Sequence, residues 1–391
     1  MVQKLRYIIF LKDILILALT TIGGPHSHLP LILKRLVKFR QYLTEEELLE
    51  LNALCQVLPG PASTQTITAI GYKLGGANLA YLTLLVWVFP SMIIMTMAAI
   101  GISYFSGRNL AMPFTKYLEP MAIGFVAYAA WVICSKVVQT KTAIVLLIIS
   151  SVLGYFFRSP YITPLMILGG GLLTTYKYRY LPEDEVNITH IKWSSFVLFI
   201  TVFVLTFIIG IVTKSIPVKL FESFYRNGSL IFGGGQVLIP LIHTEYVTLK
   251  HYLSSEEFLT GYALVSAIPG PIFAISAYIG ALSMREYGIL GEILGSILST
   301  AGIFLPGTFL IFFVYRIWGE LKKNRFIKAA LEGINAVSSG LVVGVAIFLF
   351  DNLEHSSVNL ILISLTFIAL LSEKVPSIAI IAIGMLLGYV L

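Results

Sequence analysis

Charge is what this chain lacks most: only 12% of its 391 residues are Asp, Glu, Lys or Arg. So little charge cannot clothe a water-soluble globule of this size, which excludes the ordinary soluble classes. Cysteine is nearly absent too, with Cys55 and Cys134 both in apolar surroundings and in no paired motif. They read as reduced packing residues, and a disulfide scaffold is excluded. No Gly-x4-Gly-Lys-Ser/Thr loop occurs, so direct drive by ATP is not expected. Short alternating segments, the mark of a membrane β-barrel, are missing as well. Near the N-terminus, Lys4, Arg6 and Lys12 precede the apolar run Ile14 to Leu19, but no small-x-small cleavage pattern follows. That segment therefore reads as part of the fold rather than a removable leader.

Apolar residues are abundant instead, at 57% of the chain. A helix spanning hydrocarbon needs about 20 apolar residues. Leu79 to Phe105, Phe114 to Val138 and Phe326 to Phe350 meet that length. The formal charge of +7 comes from Lys and Arg in short loops between apolar runs. The positive-inside rule accounts for them without any nucleic-acid partner.

Two helix-breaking signals occur twice at one spacing. Gly23-Gly24-Pro25 is followed by Pro59-Gly60-Pro61, and Gly233-Gly234-Gly235-Gln236 is followed by Pro269-Gly270-Pro271, with Gly233 and Pro269 each 210 residues after their counterparts Gly23 and Pro59. In the same register Leu43-Thr44-Glu45-Glu46-Glu47 lies over Leu253-Ser254-Ser255-Glu256-Glu257, and Pro30 lies over Pro240. Beyond the breaks the register drifts, with Pro90 matching Pro306 at an offset of 216. The chain is thus two copies of one design, a hallmark of transporter folds. The expected division is 1–180 for the first repeat, 181–218 for a linker and connecting helix, and 219–391 for the second repeat. Within the connecting part, the polar stretch Lys177 to Lys192 is the linker, and Trp193 to Val212 is a spanning helix without a counterpart in the first copy. One added helix turns the second copy upside down if each copy crosses an even number of times. The expected fold is an all-α polytopic membrane protein made of two inverted-topology repeats with discontinuous helices, joined by one extra transmembrane helix. Counting each broken helix pair as full spans gives roughly 13 crossings; re-entrant pairs would keep the inversion. The basic loop with Lys322, Lys323, Arg325 and Lys328 places the N-terminus inside and the C-terminus outside a plasma membrane.

A helix broken inside hydrocarbon leaves backbone groups that must face protein or a polar cavity. The second proline of each Pro-Gly-Pro suits the first position of a new half-helix, which leaves the N–H groups of Ala62 to Thr64 and of Ile272 to Ala274 without helical acceptors. Such N-termini hold anions. The candidate anion-binding residues are Gly23, Gly24, Pro25, His28, Gln56, Pro59, Gly60, Pro61, Ser63, Thr64 and Gln65 in the first copy. In the second they are Gly233, Gly234, Gly235, Gln236, Ser266, Pro269, Gly270, Pro271 and Ser276. Helix packing is the competing reading for the Ser and Thr residues, Thr66 and Thr68 included. Glu119 and Glu332 occupy matching helix positions and are candidates for ion coupling, against an interfacial placement. Arg35 and Glu245 fall at equivalent positions with opposite charge and read as solvated loop charges, and Lys73 reads as snorkelling from a half-helix end. His26 and His28 lack the further ligands a metal site needs, so His28 is a polar group at the break.

At these residues the chain resembles the long, two-domain form of the chromate ion transporter family. Gly23-Gly24-Pro25-x-x-His28 and Gln56-x-Leu58-Pro59-Gly60-Pro61 with Gly71-Tyr72 look like its first-copy pattern. Phe232-Gly233-Gly234-Gly235, Phe258-Leu259-x-Gly261-x-Ala263-Leu264 and Pro269-Gly270-Pro271 look like the second. The chain departs from the pattern at Ile22, where the family has Phe, and at Ala62 and Gln65, where it has Asn. The resemblance implies export of chromate, a tetrahedral dianion similar to sulfate. The expected function is a secondary transporter working by alternating access, without a cofactor; an anion channel or a sulfate carrier is the alternative. An intramembrane enzyme using His26, His28 or Glu119 is the reading from another class, and no nucleophile–base pairing supports it. The partners are then the oxyanion and the lipid bilayer, with a homodimer as the candidate assembly.

Overall fold

The computed structural model describes residues 2–21, 25–107, 116–137, 140–157, 162–177, 193–213, 215–232, 235–318, 325–372 and 374–390. Helices dominate them, as a chain this apolar requires when no water is available to satisfy backbone groups. Five helices among the described residues are long and apolar enough to cross a membrane. The helix Ser194–Thr213 (α8) carries no charge and is only 6% buried over its apolar window, a surface suited to lipid.

The chain divides into two compact units, and each draws on both sequence repeats. The first comprises Met1–Arg108, His190–Leu230 and Leu264–Ile317; the second comprises Asn109–Thr189, Ile231–Ala263 and Trp318–Leu391. Counted along the chain, Leu118–Val137 is α5, Lys141–Phe156 α6, Ile162–Lys177 α7, Gly235–His243 α10 and Ser255–Ala267 α11; in the second unit the helix Arg325–Asn352 packs on α6 and α7. Their backbones approach closely at glycines: a Cβ on Gly333 would lie 2.0 Å from the Gly170 carbonyl oxygen. Close approach through small residues is how helices associate where lipid removes the hydrophobic driving force.

The first unit holds both Pro-Gly-Pro breaks. It begins with α1 (Val2–Thr20) and α2 (Pro25–Ile32), which runs into a π-helical segment Leu33–Phe39. Then come α3 (Glu45–Val57) and the long element Ala62–Gly107, which is divided by non-helical Gly75 and Gly76. We call its arms α4a (62–74) and α4b (77–107). The other elements of this unit are α8, α9 (Ile216–Leu230), a 3-10 turn Ile272–Ala274, α12 (Ile275–Ser283), a second 3-10 turn Arg285–Tyr287 and α13 (Gly288–Val314).

The repeat is legible in the backbone. Gly60 and Gly270 have φ of 113° and 115°, Gly76 and Gly288 have 69° and 68°, and Gln41 and His251 have 53° and 51°. Each copy also opens the helix that leads into its Pro-Gly-Pro break with a capping box, Thr44 with Glu47 and Ser254 with Glu257. The copies are inverted as well as repeated. Thr96 Oγ1 meets Ser296 Oγ at 2.5 Å, while Tyr81, about 22 Å earlier on α4b, meets Phe312 near the far end of α13. The equivalent helices α4b and α13 therefore run antiparallel.

Counting the first broken pair as a full span is replaced by a re-entrant hairpin. Lys73 Nζ, at the end of α4a, lies 2.5 Å from the carboxylate of Glu47, at the start of α3. Further in, Thr66 Oγ1 faces Asn52 Oδ1 at 3.4 Å. The chain thus enters along α3, turns at Pro59-Gly60-Pro61 and returns beside itself. Each arm has 13 residues, about 20 Å at 1.5 Å per residue, too short to span about 30 Å of hydrocarbon. Lys73 is accordingly an ion-pair partner rather than a snorkelling cation.

Candidate functional site

At the tip of this hairpin Pro59, Gly60 and Pro61 are all buried. The first bond of the new helix runs from the Gln65 N–H to the Pro61 carbonyl at 2.9 Å. Ala62, Ser63 and Thr64 therefore keep their N–H groups outside the helical ladder, as the sequence implies. At the second break the Ala274 N–H donates to the Pro271 carbonyl at 2.9 Å. The tighter 3-10 turn takes one donor away, so Ile272 and Phe273 remain and Ala274 does not.

Side chains pack these tips from both copies. Gln65 is 2% exposed, and its Nε2 donates to the Pro59 carbonyl at 2.6 Å, tying the half-helix to the residue before the break. A Cβ on Gly60 would lie 2.7 Å from Gln65 Nε2, and one on Gly307 of α13 would lie 2.2 Å from it. Beside the second break, a Cβ on Gly270 would lie 2.7 Å from Ser91 Cβ on α4b. Ser91 and Gly307 immediately follow the matched prolines Pro90 and Pro306, so each copy's long helix packs on the other copy's break. The Gly270 N–H donates at 3.0 Å to the carbonyl of Thr21, the residue just after α1.

His28 is fully buried, with Nδ1 2.9 Å from Ser63 Oγ and its ring edge-on to Trp87. Trp87 Nε1 donates to Thr64 Oγ1 at 3.1 Å. His28, Ser63, Thr64 and Trp87 form one continuous polar and aromatic cluster at the half-helix N-terminus. Trp87 is the residue sequence reading missed. It lies 23 positions from Thr64 inside an unbroken apolar run, where nothing local marks it.

The predicted residues divide accordingly. Pro59, Gly60, Pro61, Ser63, Gln65, Pro269, Gly270, Pro271 and His28 line or support the breaks in the first unit. Thr64 lies there too, with its hydroxyl held by Trp87. Thr66 and Thr68 bond back to the carbonyls of Ala62 and Thr64, the packing reading. Gln56 is exposed. Ser266 is half-buried, and Ser276 is fully buried with no hydrogen-bond partner for its hydroxyl among the described residues. Gly23, Gly24, Gly233 and Gly234 lie outside the described residues. Pro25 begins α2, and Gly235 begins the helix Gly235–His243 of the second unit, with Gln236 next in it.

Both coupling candidates lie in the second unit. Glu332 accepts a 2.5 Å hydrogen bond from Thr140 Oγ1, and Glu119 bonds Ser255. The solvated reading of Arg35 and Glu245 is overturned. Asp13, fully buried on α1, receives Arg35 at 2.7 Å, Arg40 at 2.8 Å and Tyr42 Oη at 2.8 Å. Glu245 is 2% exposed and pairs with Lys250 at 2.8 Å. A charge surrounded by apolar chain finds a partner instead of water. Burial, and then the hydrogen bond to Asp13, push the Tyr42 hydroxyl up to about 12, so it remains a donor. Among the described residues no group of three or more His, Cys, Asp or Glu could hold a metal ion.

The chromate transporter family model matches this chain twice, over residues 9–175 and 218–389. The chain belongs to the chromate transporter family. Each match covers one repeat, with the connecting helix α8 between them. A relative from Methanocaldococcus jannaschii, named an uncharacterised transporter, is 24% identical over 388 residues, covering 96% of this chain and 92% of the relative. One from Synechococcus elongatus, named a probable chromate transport protein, is 23% identical and covers 94% of this chain and 91% of the relative. One from Cupriavidus metallidurans, named a chromate transport protein, is 24% identical over 84% of this chain and 78% of the relative. No solved structure matches. As a chromate transporter family member the chain is a multi-pass membrane transporter rather than an enzyme.

Proposed function

We propose that this chromate transporter family member exports chromate, or a similar tetrahedral oxyanion, through a site at the Pro-Gly-Pro breaks by alternating access. The observation that carries the reading is the pair of half-helix N-termini, at Ala62–Thr64 and Ile272–Phe273, within one compact unit. Each tip carries about half a positive charge and can hold an oxyanion, an interaction of ~0.3–1 kcal/mol, up to ~2 when partly buried. Ser63 and Ser276 supply hydroxyls that bind an oxyanion without fixing it as a lysine would. The relatives named as chromate transport proteins support chromate as the anion.

Direction follows from charge. A potential of ~100 mV, negative inside, is worth ~2.3 kcal/mol per charge, hence about 4.6 kcal/mol for a dianion leaving the cell. The N-terminus is placed in the cytoplasm and the C-terminus outside. The first repeat is assigned to 1–180, the linker and connecting helix to 181–218 and the second repeat to 219–391. Vesicle flux under an imposed potential tests this: efflux of labelled chromate accelerates with an inside-negative potential and saturates with substrate. Flux indifferent to the potential, or failing to saturate, contradicts it.

A further inference from the structure

Glu292 is a buried carboxylate that the anion site does not use. It lies one turn into α13, is 3% exposed, and its Oε1 has no hydrogen-bond partner among the described residues. A buried oxygen left without a hydrogen-bond partner costs free energy, and a carboxylate within a spanning helix is a functional candidate. The elements packed on α13 offer it little. α4b, α8 and α12 carry no charged side chain; the titratable groups on α4b and α12 are Tyr81, Tyr104 and Tyr278. The turn before α13 carries Arg285, Glu286 and Tyr287. On α9 there are Lys219, Glu222, Tyr225 and Arg226, but Lys219 is exposed and Arg226 pairs with Glu222. Contacts of Gly302 with Phe221 and Phe224 set the Glu222–Arg226 region of α9 ten residues along α13 from Glu292, about 15 Å.

Hydroxyls stand between Glu292 and the second break. Ser296, one turn deeper on the same helix, meets Thr96 of α4b at 2.5 Å, and five residues back along α4b stands Ser91 against Gly270. These hydroxyls step about 14 Å along the two helices toward the half-helix tip, with Thr96 and Ser91 each also bonded to its own helix at the carbonyls of Met92 and Val88. A surface groove lined by Pro217, Met284, Tyr287 and Gly291 lies beside the first turn of α13.

From this arrangement we infer that Glu292 is a proton-binding site that couples proton movement to the anion cycle, an inference that rests on the transport reading above. The carboxylate takes up one proton to become the neutral acid and releases it on the other side of the cycle. Glu119 and Glu332 both belong to the other unit, which does not hold the Pro-Gly-Pro breaks.

The test uses full-length protein in proteoliposomes, with labelled chromate flux measured under an imposed pH gradient and at zero gradient. In the wild type the gradient changes net flux several-fold. In Glu292→Gln this response falls at least tenfold, while chromate-for-chromate exchange at zero gradient persists; Glu292→Asp recovers part of the response. Wild-type chromate flux with an unchanged gradient response in Glu292→Gln overturns the proton site and leaves the transport reading standing. So does a response to a sodium gradient in place of a proton gradient. Absence of chromate flux in the wild type overturns the transport reading and the inference with it. A measurement on the wild type alone guards against a misfolded variant. A hydrophobic carbodiimide, which adds to protonated buried carboxyls, labels Glu292 more rapidly as pH falls, as read by peptide mass spectrometry. Absence of labelling at every pH overturns the inference.

Discussion

Gly307 presents its bare α-carbon to the amide of Gln65, so close that a Cβ there would sit 2.2 Å from Nε2. The same amide closes the first break by bonding Pro59 at 2.6 Å. One side chain thus joins the break of the first copy to the long helix of the second. Replacing Gly307 with Val forces the amide away and strips Pro59 of its donor. The expected cost is about 1–3 kcal/mol, with chromate flux reduced at least tenfold. Thermal unfolding in detergent and flux at equal protein loading check it.

Gln65→Ala removes the bond without the clash. The loss expected is about 1 kcal/mol in stability. Double substitution with Gly307→Ala should cost less than the sum of the two single changes, because Ala at 65 leaves room for the new methyl. Additive losses measured by thermal unfolding would show that the two positions do not meet.

Asp13 offers a sharper stability test. Asn at this position leaves Arg35 and Arg40 without their buried anion, a change in the class that costs about 3–5 kcal/mol where the pair is fully buried. Arg35 keeps 26% exposure and Arg40 37%, so the lower end of that range applies. Wild-type melting behaviour in Asp13→Asn would show the network to be dispensable.

The hairpin mouth responds to acid. The Lys73 ammonium, with help from the Thr44 N–H, holds the Glu47 carboxyl below its ordinary value of 4.5. A carboxyl lowered by folding contributes stability above that value and loses it as pH falls further. Glu47 is 42% exposed, so the contribution is small, within the ~0–1 kcal/mol of surface pairs. Lys73→Gln should melt lower than wild type at pH 7, and the gap should close on acidification below pH 4.5. A gap independent of pH contradicts the pairing.

Much of this was legible in the sequence because the repeat is a backbone property. Gly60 and Gly270 share a φ near 115° that only glycine adopts without strain, so both tips are written as Pro-Gly-Pro. The capping boxes of Thr44 and Ser254 are equally local, set by residues three apart. What escaped depended on distance along the chain. Asp13 meets Arg35 across 22 residues and Trp87 meets Thr64 across 23, with no spacing rule to announce either. The re-entrant turn was hidden for the same reason: a hairpin and a straight broken helix share one sequence pattern, and contacts between the arms, Glu47 with Lys73 and Asn52 with Thr66, separate them. Glu292 escaped because an isolated acid near a helix start reads as interfacial until its burial is known.

The most direct test of the account is chromate flux through Gly60→Leu and Gly270→Leu in proteoliposomes, each beside a folded-state check by melting. Both substitutions put a branched side chain at a strained φ and against Gln65 or Ser91, and so deform one half-helix tip apiece. The account predicts that each folded variant loses at least tenfold in flux and in chromate affinity. Folded variants that carry chromate at the wild-type rate would contradict it.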